Sequence, residues 1–385
     1  MPSKLTIPSA AIVTHELFYG ASQALRDYLN QQKVETVLFV SHPLRAENRR
    51  SYYQMFSRGR LIKEVLKSRQ PEWVFWQYLR DAFLTFFWIW QTKQKFNIYV
   101  GVDPLNCAVG LVLRRLGRVA KVIFYAIDFT PRRFDSPLLN QVYHQLEKWC
   151  VKGSDKRWNV SPRISEGRRK FLGLNEKEYS QKVVPIGVWR REIVFKPIAK
   201  DRQHWLVFTG HLLKKQGLQE VIQALPLIKN KIPDVHLLVI GGGEYEAKLK
   251  EWVNRLDLRG AVTFLGWVSD QKHIRDLLSN CALAVATYAP EGEAEFNFTY
   301  YADPTKIKTY LSCGLPVVMT EVSYNARQLE KRGCVQVVDY NREEIAKTII
   351  KLLKDNKRLS QMKEKATQVA HEFTWEQIFT SAFTT

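Results

Sequence analysis

Two stretches of this chain carry residue types that could grip a phosphate. In Thr209-Gly-His-Leu-Leu-Lys-Lys-Gln-Gly217 a β-branched run ends, a loop bearing Lys214 and Lys215 follows, and a helical pattern begins at Leu218. Backbone amides at a helix start, together with two ammonium groups, suit a diphosphate, and each charge-assisted hydrogen bond is worth about 1.5–3 kcal/mol. In Ala302-Asp-Pro-Thr-Lys-Ile-Lys-Thr-Tyr-Leu-Ser-Cys-Gly-Leu-Pro-Val-Val318 a proline opens a short helix, and Gly314 and Pro316 turn it into a strand. Its N-terminus favours an anionic group. Between them, Gly241-Gly-Gly-Glu244 permits close backbone approach but lacks the spacing of a dinucleotide fingerprint. Nearer the start, His15 sits in the loop leading to Gly20, and Asp128 is followed by Arg132 and Arg133. An imidazole there can approach a phosphate or an acceptor hydroxyl, and the arginines can hold an acceptor phosphate. For each group a bland alternative stays open: a solvated lysine pair, a structural turn, a structural histidine, an exposed arginine pair.

Such residues need elements to position them. Short β-branched runs alternate with helical patterns, which implies parallel sheets with helices on both faces. The first half predicts strands at Ala10–Val13, Thr36–Val40, Ile98–Val102 and Val122–Ile127, with helices at Ala21–Gln32 and Leu105–Leu116. The second half begins again at Trp205–Thr209 and continues through His236–Ile240, Val262–Leu265, Leu283–Ala286, Val317–Thr320 and Gln336–Val338. Helices are expected between them, at Leu218–Ile228, Glu244–Leu256, Gln271–Leu278 and Thr305–Leu311. The architecture is α/β: two tandem Rossmann-like, doubly wound domains over 1–190 and 200–355. A helical segment at 356–385 is in position to cross back onto the first. Pro185, Gly187 and Pro197 mark the seam. Two such domains facing each other make a cleft at the carboxyl ends of both sheets, where phosphorylated ligands bind.

Composition narrows the partners. The 385 residues include 58 Lys and Arg against 38 Asp and Glu, a net charge of +20 that attracts polyanions. No nucleic-acid motif appears, so a membrane surface or a phosphorylated substrate is the expected partner. With 45% apolar and 25% charged residues the chain is not disordered. Five scattered cysteines, Cys107, Cys150, Cys281, Cys313 and Cys334, form no metal or disulfide spacing and fit a reducing, cytoplasmic setting. From Trp73 to Trp90 half the residues are aromatic, but Gln77, Arg80 and Asp81 interrupt the run and argue against a membrane span. A buried helix, or one lying at a membrane interface, remains. The preceding stretch, 43–70, favours the second: Arg45, Arg49, Arg50, Arg58, Arg60, Lys63, Lys67 and Arg69 face only Glu47 and Glu64.

Taken in order, Thr209-Gly210 and Gly217, Val239-Ile-Gly-Gly-Gly243, Val262-Thr-Phe-Leu-Gly266 and Lys306…Tyr310…Gly314-Leu-Pro-Val-Val318 resemble glycosyltransferases of the GT-B fold, family four (glycosyl transferases group 1). Gly20-Ala21, Val160-Ser161 and Val184-Pro-Ile-Gly-Val188 resemble the matching segments of that family's first domain. The resemblance implies transfer of a hexosyl group from a nucleotide-diphosphate sugar to a glycan or lipid-linked acceptor, with retention and without a metal or other cofactor. It implies a setting in cell-surface polysaccharide assembly, and the aromatic and basic stretches add the expectation of a peripheral protein on the inner face of the cytoplasmic membrane. The donor-site residues it suggests are Gly20, Gly210, His211, Lys214, Lys215, Gly242, Asp303, Thr305, Lys306 and Thr309. Asp128 and His15 are its catalytic candidates, with Arg132 and Arg133 on the acceptor or membrane side. The chain departs from the family pattern where His211 replaces an arginine, Gln216 a lysine, Ile127 a histidine, and Tyr301 and Thr309 a pair of glutamates. Asp303, Glu293 or Glu295 are candidates to take the place of the first glutamate. These departures keep two alternatives open, a non-catalytic binding subunit and a nucleotide-sugar epimerase.

Overall fold

The computed structural model describes residues 7–16, 18–43, 50–67, 74–290 and 298–384. Arg45, Glu47, Arg49, Arg69, Trp73, Glu293 and Glu295 lie outside them. The chain divides into two units, Met1–Ile186 with Trp375–Thr385, and Gly187–Thr374.

The first unit is built on an eight-stranded sheet ordered β4-β3-β2-β1-β5-β6-β7-β8. The strands are β1 (Ser9–Thr14), β2 (Thr36–Ser41), β3 (Tyr52–Ser57), β4 (Arg60–Leu66), β5 (Phe96–Val102), β6 (Val119–Ala126), β7 (Lys156–Asn159) and β8 (Lys182–Val183). All pairs are parallel except β2–β3 and β3–β4. The central strands are buried on both faces, as their unbroken apolar runs require. Helices α1 (Ala21–Gln31), α2 (Val74–Gln91), α3 (Pro104–Arg115), α4 (Pro137–Gly153) and α5 (Pro162–Leu172) cover them. Three of these open on a cap residue followed by proline, Asp103-Pro104, Ser136-Pro137 and Ser161-Pro162, and each cap side chain accepts a backbone amide.

The β3–β4 hairpin was not anticipated by the strand pattern. It turns on Arg58 (φ 48°) and Gly59 (φ 82°), two consecutive residues in the left-handed region, as a two-residue hairpin of primed type demands. Charges at Arg60, Lys63 and Glu64 on an edge strand concealed its periodicity.

The second unit carries a six-stranded parallel sheet ordered β11-β10-β9-β12-β13-β14. Its strands are β9 (Trp205–Thr209), β10 (His236–Ile240), β11 (Val262–Gly266), β12 (Leu283–Ala286), β13 (Val317–Met319) and β14 (Val335–Val337). Around them lie α6 (Leu218–Lys229), α7 (Glu246–Arg255), α8 (Gln271–Ser279), α9 (Thr305–Ser312), α10 (Ala326–Lys331), α11 (Arg342–Leu353) and α12 (Asn356–Glu372). The strand order is that of a dinucleotide-type fold, with its topological switch between β9 and β12. Alternate residues of β9 feed two cores: Leu206 and Phe208 on one face, Val207 on the other.

The C-terminal segment is not one piece. Helix α12 packs against α9 and α11 in the second unit, whereas the last helix, α13 (Trp375–Thr384), packs on α1 in the first. Tyr28 stacks with Phe383, its hydroxyl lies 3.0 Å from that of Thr380, and Phe383 meets Trp158 edge-on. The chain leaves the first unit after Ile186 and rejoins it at Trp375, so the expected 1–190 and 356–385 boundaries become one unit with a returning helix.

Candidate functional site

In the first unit the switch in strand order lies at β1 and β5, and residues that follow the strands gather there. His15 follows β1, Asp103 follows β5, and Asp128 lies just beyond β6. With Glu16, Tyr78, Arg133 and Tyr143 they line a cavity of about 210 Å³. His15 Nδ1 is 2.6 Å from Asp103 Oδ2, and its Nε2 faces Asp81 Oδ2 at 3.6 Å. Burial alone would lower the imidazole, but the charge and hydrogen bond of Asp103, then those of Asp81, outweigh it and raise the pKa from 6.5 to about 9. The two carboxylates thus favour the protonated form of His15. Asp81 reaches the site from the inner face of α2 and also faces His42 Nδ1 at 3.4 Å. Burial would raise its carboxyl; hydrogen bonds from His15 and His42 more than reverse that and hold it well below the usual range. His42, desolvated, is pushed down, and its Nε2 lies 2.7 Å from the Thr85 hydroxyl.

Asp103 does three jobs from one position. Its carboxylate accepts the Asn106 amide at 3.0 Å to cap α3, accepts the Asn106 side-chain NH₂, and holds His15. It does so at φ 77°, a backbone region that side chains seldom occupy and that tends to mark functional turns. Asp128 accepts a hydrogen bond from Arg133 Nη2 at 2.8 Å, while the guanidinium also lies 4.8 Å over the Tyr143 ring. Arg132, beside it, is exposed. The sequence reading found His15, Asp128 and Arg133 but missed Asp81, Asp103, His42 and Glu16. The cap signature Asp103-Pro104 after a strand was the available signal for one of them.

Gly20 ends up differently from expectation. It caps α1, but its amide donates to Gln23 Oε1 at 2.9 Å. The Glu16 carboxylate takes the Ser22 amide at 2.9 Å and the Ser22 hydroxyl. The Glu16 side chain thus occupies the α1 N-terminus, and burial raises its pKa.

The second unit presents the reverse case. Lys306, in the first turn of α9, extends to the end of β9, where its ammonium lies 4.0 Å over the Phe208 ring and 2.6 Å from Gln216 Oε1. Among the described residues no carboxylate pairs with it, and burial pulls its pKa from 10.5 to about 7. Gly210 (φ 135°) makes room: a Cβ there would stand 3.1 Å from Lys306 Nζ. The surrounding loops are locked by Tyr310, whose hydroxyl accepts the Thr209 amide at 2.7 Å, and by the Leu212 amide donating to Gly242 O at 3.0 Å. Gly217 (φ 73°) is required because any side chain would strike Thr287 O. Gly241 and Gly243 are similarly hemmed in, while a Cβ at Gly242 would meet Glu246 Oε2 at an ordinary contact distance of 3.5 Å.

Of the other expected donor residues, Lys215 is half-buried and lowered by burial to about 8, close to Glu244. His211, Lys214 and Thr305 are exposed. Thr309 donates its hydroxyl to Thr305 O at 3.2 Å, leaving only acceptor lone pairs for a ligand. Asp303, a candidate sugar contact, lies just before α9. It is buried in an ion pair with Lys308 at 3.1 Å, which anchors α9. Tyr301, in the place of the first glutamate, packs edge-on against Tyr300.

Residues 190–369 match the family Glycosyl transferases group 1. An uncharacterized glycosyltransferase of Haemophilus influenzae is 25% identical over 183 residues, 47% of this chain and 48% of that protein. A GDP-mannose-dependent monoacylated alpha-(1-6)-phosphatidylinositol monomannoside mannosyltransferase of Corynebacterium glutamicum is 23% identical over 269 residues, 69% of this chain and 61% of that protein. The chain thus spans about half to three-fifths of the length of these curated relatives. The crystal structure of Anabaena HepE in complex with UDP is similar over 98% of both chains, with a TM-score of 0.68 at 17% identity. The two sheets with their flanking helices are those of the GT-B fold, and residues 190–369 are similar to the Glycosyl transferases group 1 family.

Proposed function

We propose that the chain is a family-four glycosyltransferase that moves a hexosyl group from a nucleotide-diphosphate sugar to a hydroxyl of a glycan or glycolipid. The observation that carries this reading is the ammonium of Lys306, drawn into an apolar pocket beside the β9–β12 switch with no carboxylate among the described residues to neutralise it. A buried charge is costly unless paired, so the site is built for an anion that arrives with the substrate. The diphosphate of a nucleotide sugar fits that description. HepE binds UDP, and the Corynebacterium relative depends on GDP-mannose and acts on a phosphatidylinositol mannoside. Either nucleotide would present the same diphosphate to Lys306, Lys215 and the amides at the start of α9.

In the reaction the bond from the sugar C1 to the diphosphate oxygen breaks and a bond from C1 to the acceptor oxygen forms. The acceptor proton is released, and the reading gives its acceptance to Asp128, a part-exposed carboxylate of the first unit. Lys306 and Lys215 stabilise the charge growing on the leaving diphosphate. His15 is a positioning group, fixing Asp103 and Asp81 behind the cavity wall. Stereochemical retention, independence from metal, cytoplasmic location and a role in cell-surface polysaccharide assembly belong to the same proposal.

The test is transfer of labelled sugar from a panel of UDP- and GDP-sugars into a bacterial lipid extract. Product is expected with one donor, and Lys306→Ala should abolish it. A chain that binds a nucleotide sugar but neither transfers nor hydrolyses it would be a binding subunit instead.

A further inference from the structure

Helix α2 has two unlike faces. On the inner side Asp81, Thr85 and Trp88 pack toward His15, His42 and Tyr53. On the outer side Trp76, Leu79, Phe83, Phe87 and Trp90 are all exposed, from 38% to 66% of their surfaces. At about 100° per residue these five fall within an arc of about 80°. Phe83 and Phe87 stack with centroids 6.1 Å apart, so the stripe is a continuous aromatic surface. Scattered exposed apolar residues are ordinary; a contiguous stripe of this kind marks an interaction surface.

Cations border it. The Arg118 guanidinium lies 4.3 Å over the Trp90 ring, and Lys93 and Lys95 follow the helix. The β3–β4 hairpin adjoins α2 through Tyr53, whose ring packs on Trp88 with Lys63 Nζ 5.8 Å from its centroid. Strand β4 exposes Leu61, Ile62 and Leu66. From 58 to 67 its charges are Arg58, Arg60, Lys63 and Lys67 against Glu64 alone. Among the described residues no helix is long and apolar enough to cross a membrane. An aromatic helix face flanked by basic groups is the composition of an interfacial helix on anionic lipid. A second copy of a chain carrying +20 would bring like charge to this face, whereas an anionic bilayer answers the cations and takes the aromatic rings at headgroup level.

We infer that the outer face of α2, with Arg118 over Trp90 and Lys93 and Lys95 following the helix, lies on an anionic phospholipid bilayer. Tyr78 of the same helix lines the cavity that holds Asp128 and Arg133, so docking sets that cavity close to the lipid headgroups. The inference rests on the reading above, which makes a glycolipid the acceptor.

The test is flotation of the full chain with vesicles of phosphatidylcholine alone or with phosphatidylglycerol added. The parent protein should float with the anionic vesicles, and the double variant Phe83→Glu/Phe87→Glu should bind them more weakly by about tenfold or more. Phe83→Ser/Phe87→Ser should repeat the loss without added charge, with thermal melting and calorimetric binding of nucleotide sugar unchanged in both. Equal flotation of parent and variants, or indifference of the parent to phosphatidylglycerol, overturns the inference. So does a dimer of the parent that the variants dissolve, since the face would then belong to a second copy. A protein that transfers sugar to a soluble acceptor but never floats loses only the docking surface. One that floats but binds no nucleotide sugar loses the transferase reading while the surface stands.

Discussion

The two units put charge at the ends of their strands in opposite ways. In the first, His15 is balanced by Asp103 and Asp81, and Arg133 by Asp128. In the second, the partners of Lys306 among the described residues are a neutral amide and two rings. A compensated cluster is complete without a ligand and serves to hold a shape. An uncompensated cation is under strain until an anion reaches it. On the proposed reading, His15 with Asp103 and Asp81 serves positioning and the second unit's Lys306 serves recognition.

The sharpest way to break that contrast is to unbalance the first cluster. Asp81→Ala removes a carboxylate that faces two imidazoles, and breaking a buried pair in this way should cost about 3–5 kcal/mol of stability in urea unfolding. The pH dependence has a defined sign. The His15 pKa is raised from 6.5 to about 9 on folding, so its contribution is fully present below 6.5 and fades as pH rises through 9. Asp81→Ala should flatten that slope. Lys306→Met should do the opposite. Nucleotide-sugar affinity should fall by about 1.5–3 kcal/mol, roughly 10- to 150-fold, while stability holds or rises because an unpaired buried charge is gone. The parent's Lys306 is lowered from 10.5 to about 7, so this group makes the free protein more stable as pH rises across that interval. The Met variant should lack that rise.

Gly210→Ala refines the comparison with a smaller effect. The new Cβ, at φ 135° and 3.1 Å from the ammonium, should displace Lys306 and weaken donor binding by about tenfold, with a stability loss of about 1 kcal/mol. Lys214→Ala should matter least, under about 1 kcal/mol in affinity, because an exposed lysine is screened by solvent.

Much of the fold could be read from the sequence because parallel strands are short apolar runs set between amphipathic helices. Trp205–Thr209, His236–Ile240 and Leu283–Ala286 match the structure residue for residue. The β3–β4 hairpin was hidden because its charged edge faces solvent and its turn uses Arg58-Gly59 in place of an asparagine-glycine pair. The split between α12 and α13 was hidden too, since it depends on tertiary partners: Phe373 O accepts the Val188 amide while α13 finds Tyr28. Positions were legible where local pattern alone decides, as for Lys306 in the first turn of α9. They were not where partners decide. Asp81 read as a charge that forbids a membrane span, and only the fold shows it turned inward onto His15. Asp303 read as a sugar contact, and only the fold shows Lys308 beside it.

Titration calorimetry with UDP at pH 6.5 and pH 9, in two buffers of different ionisation heat, tests the role of Lys306 directly. An incoming diphosphate should raise the ammonium's pKa above about 7, so binding should take up a proton and weaken as pH rises, and Lys306→Met should lose both effects. Equal affinity at the two pH values with no proton uptake, or a Met variant that binds UDP as well as the parent, would contradict the account.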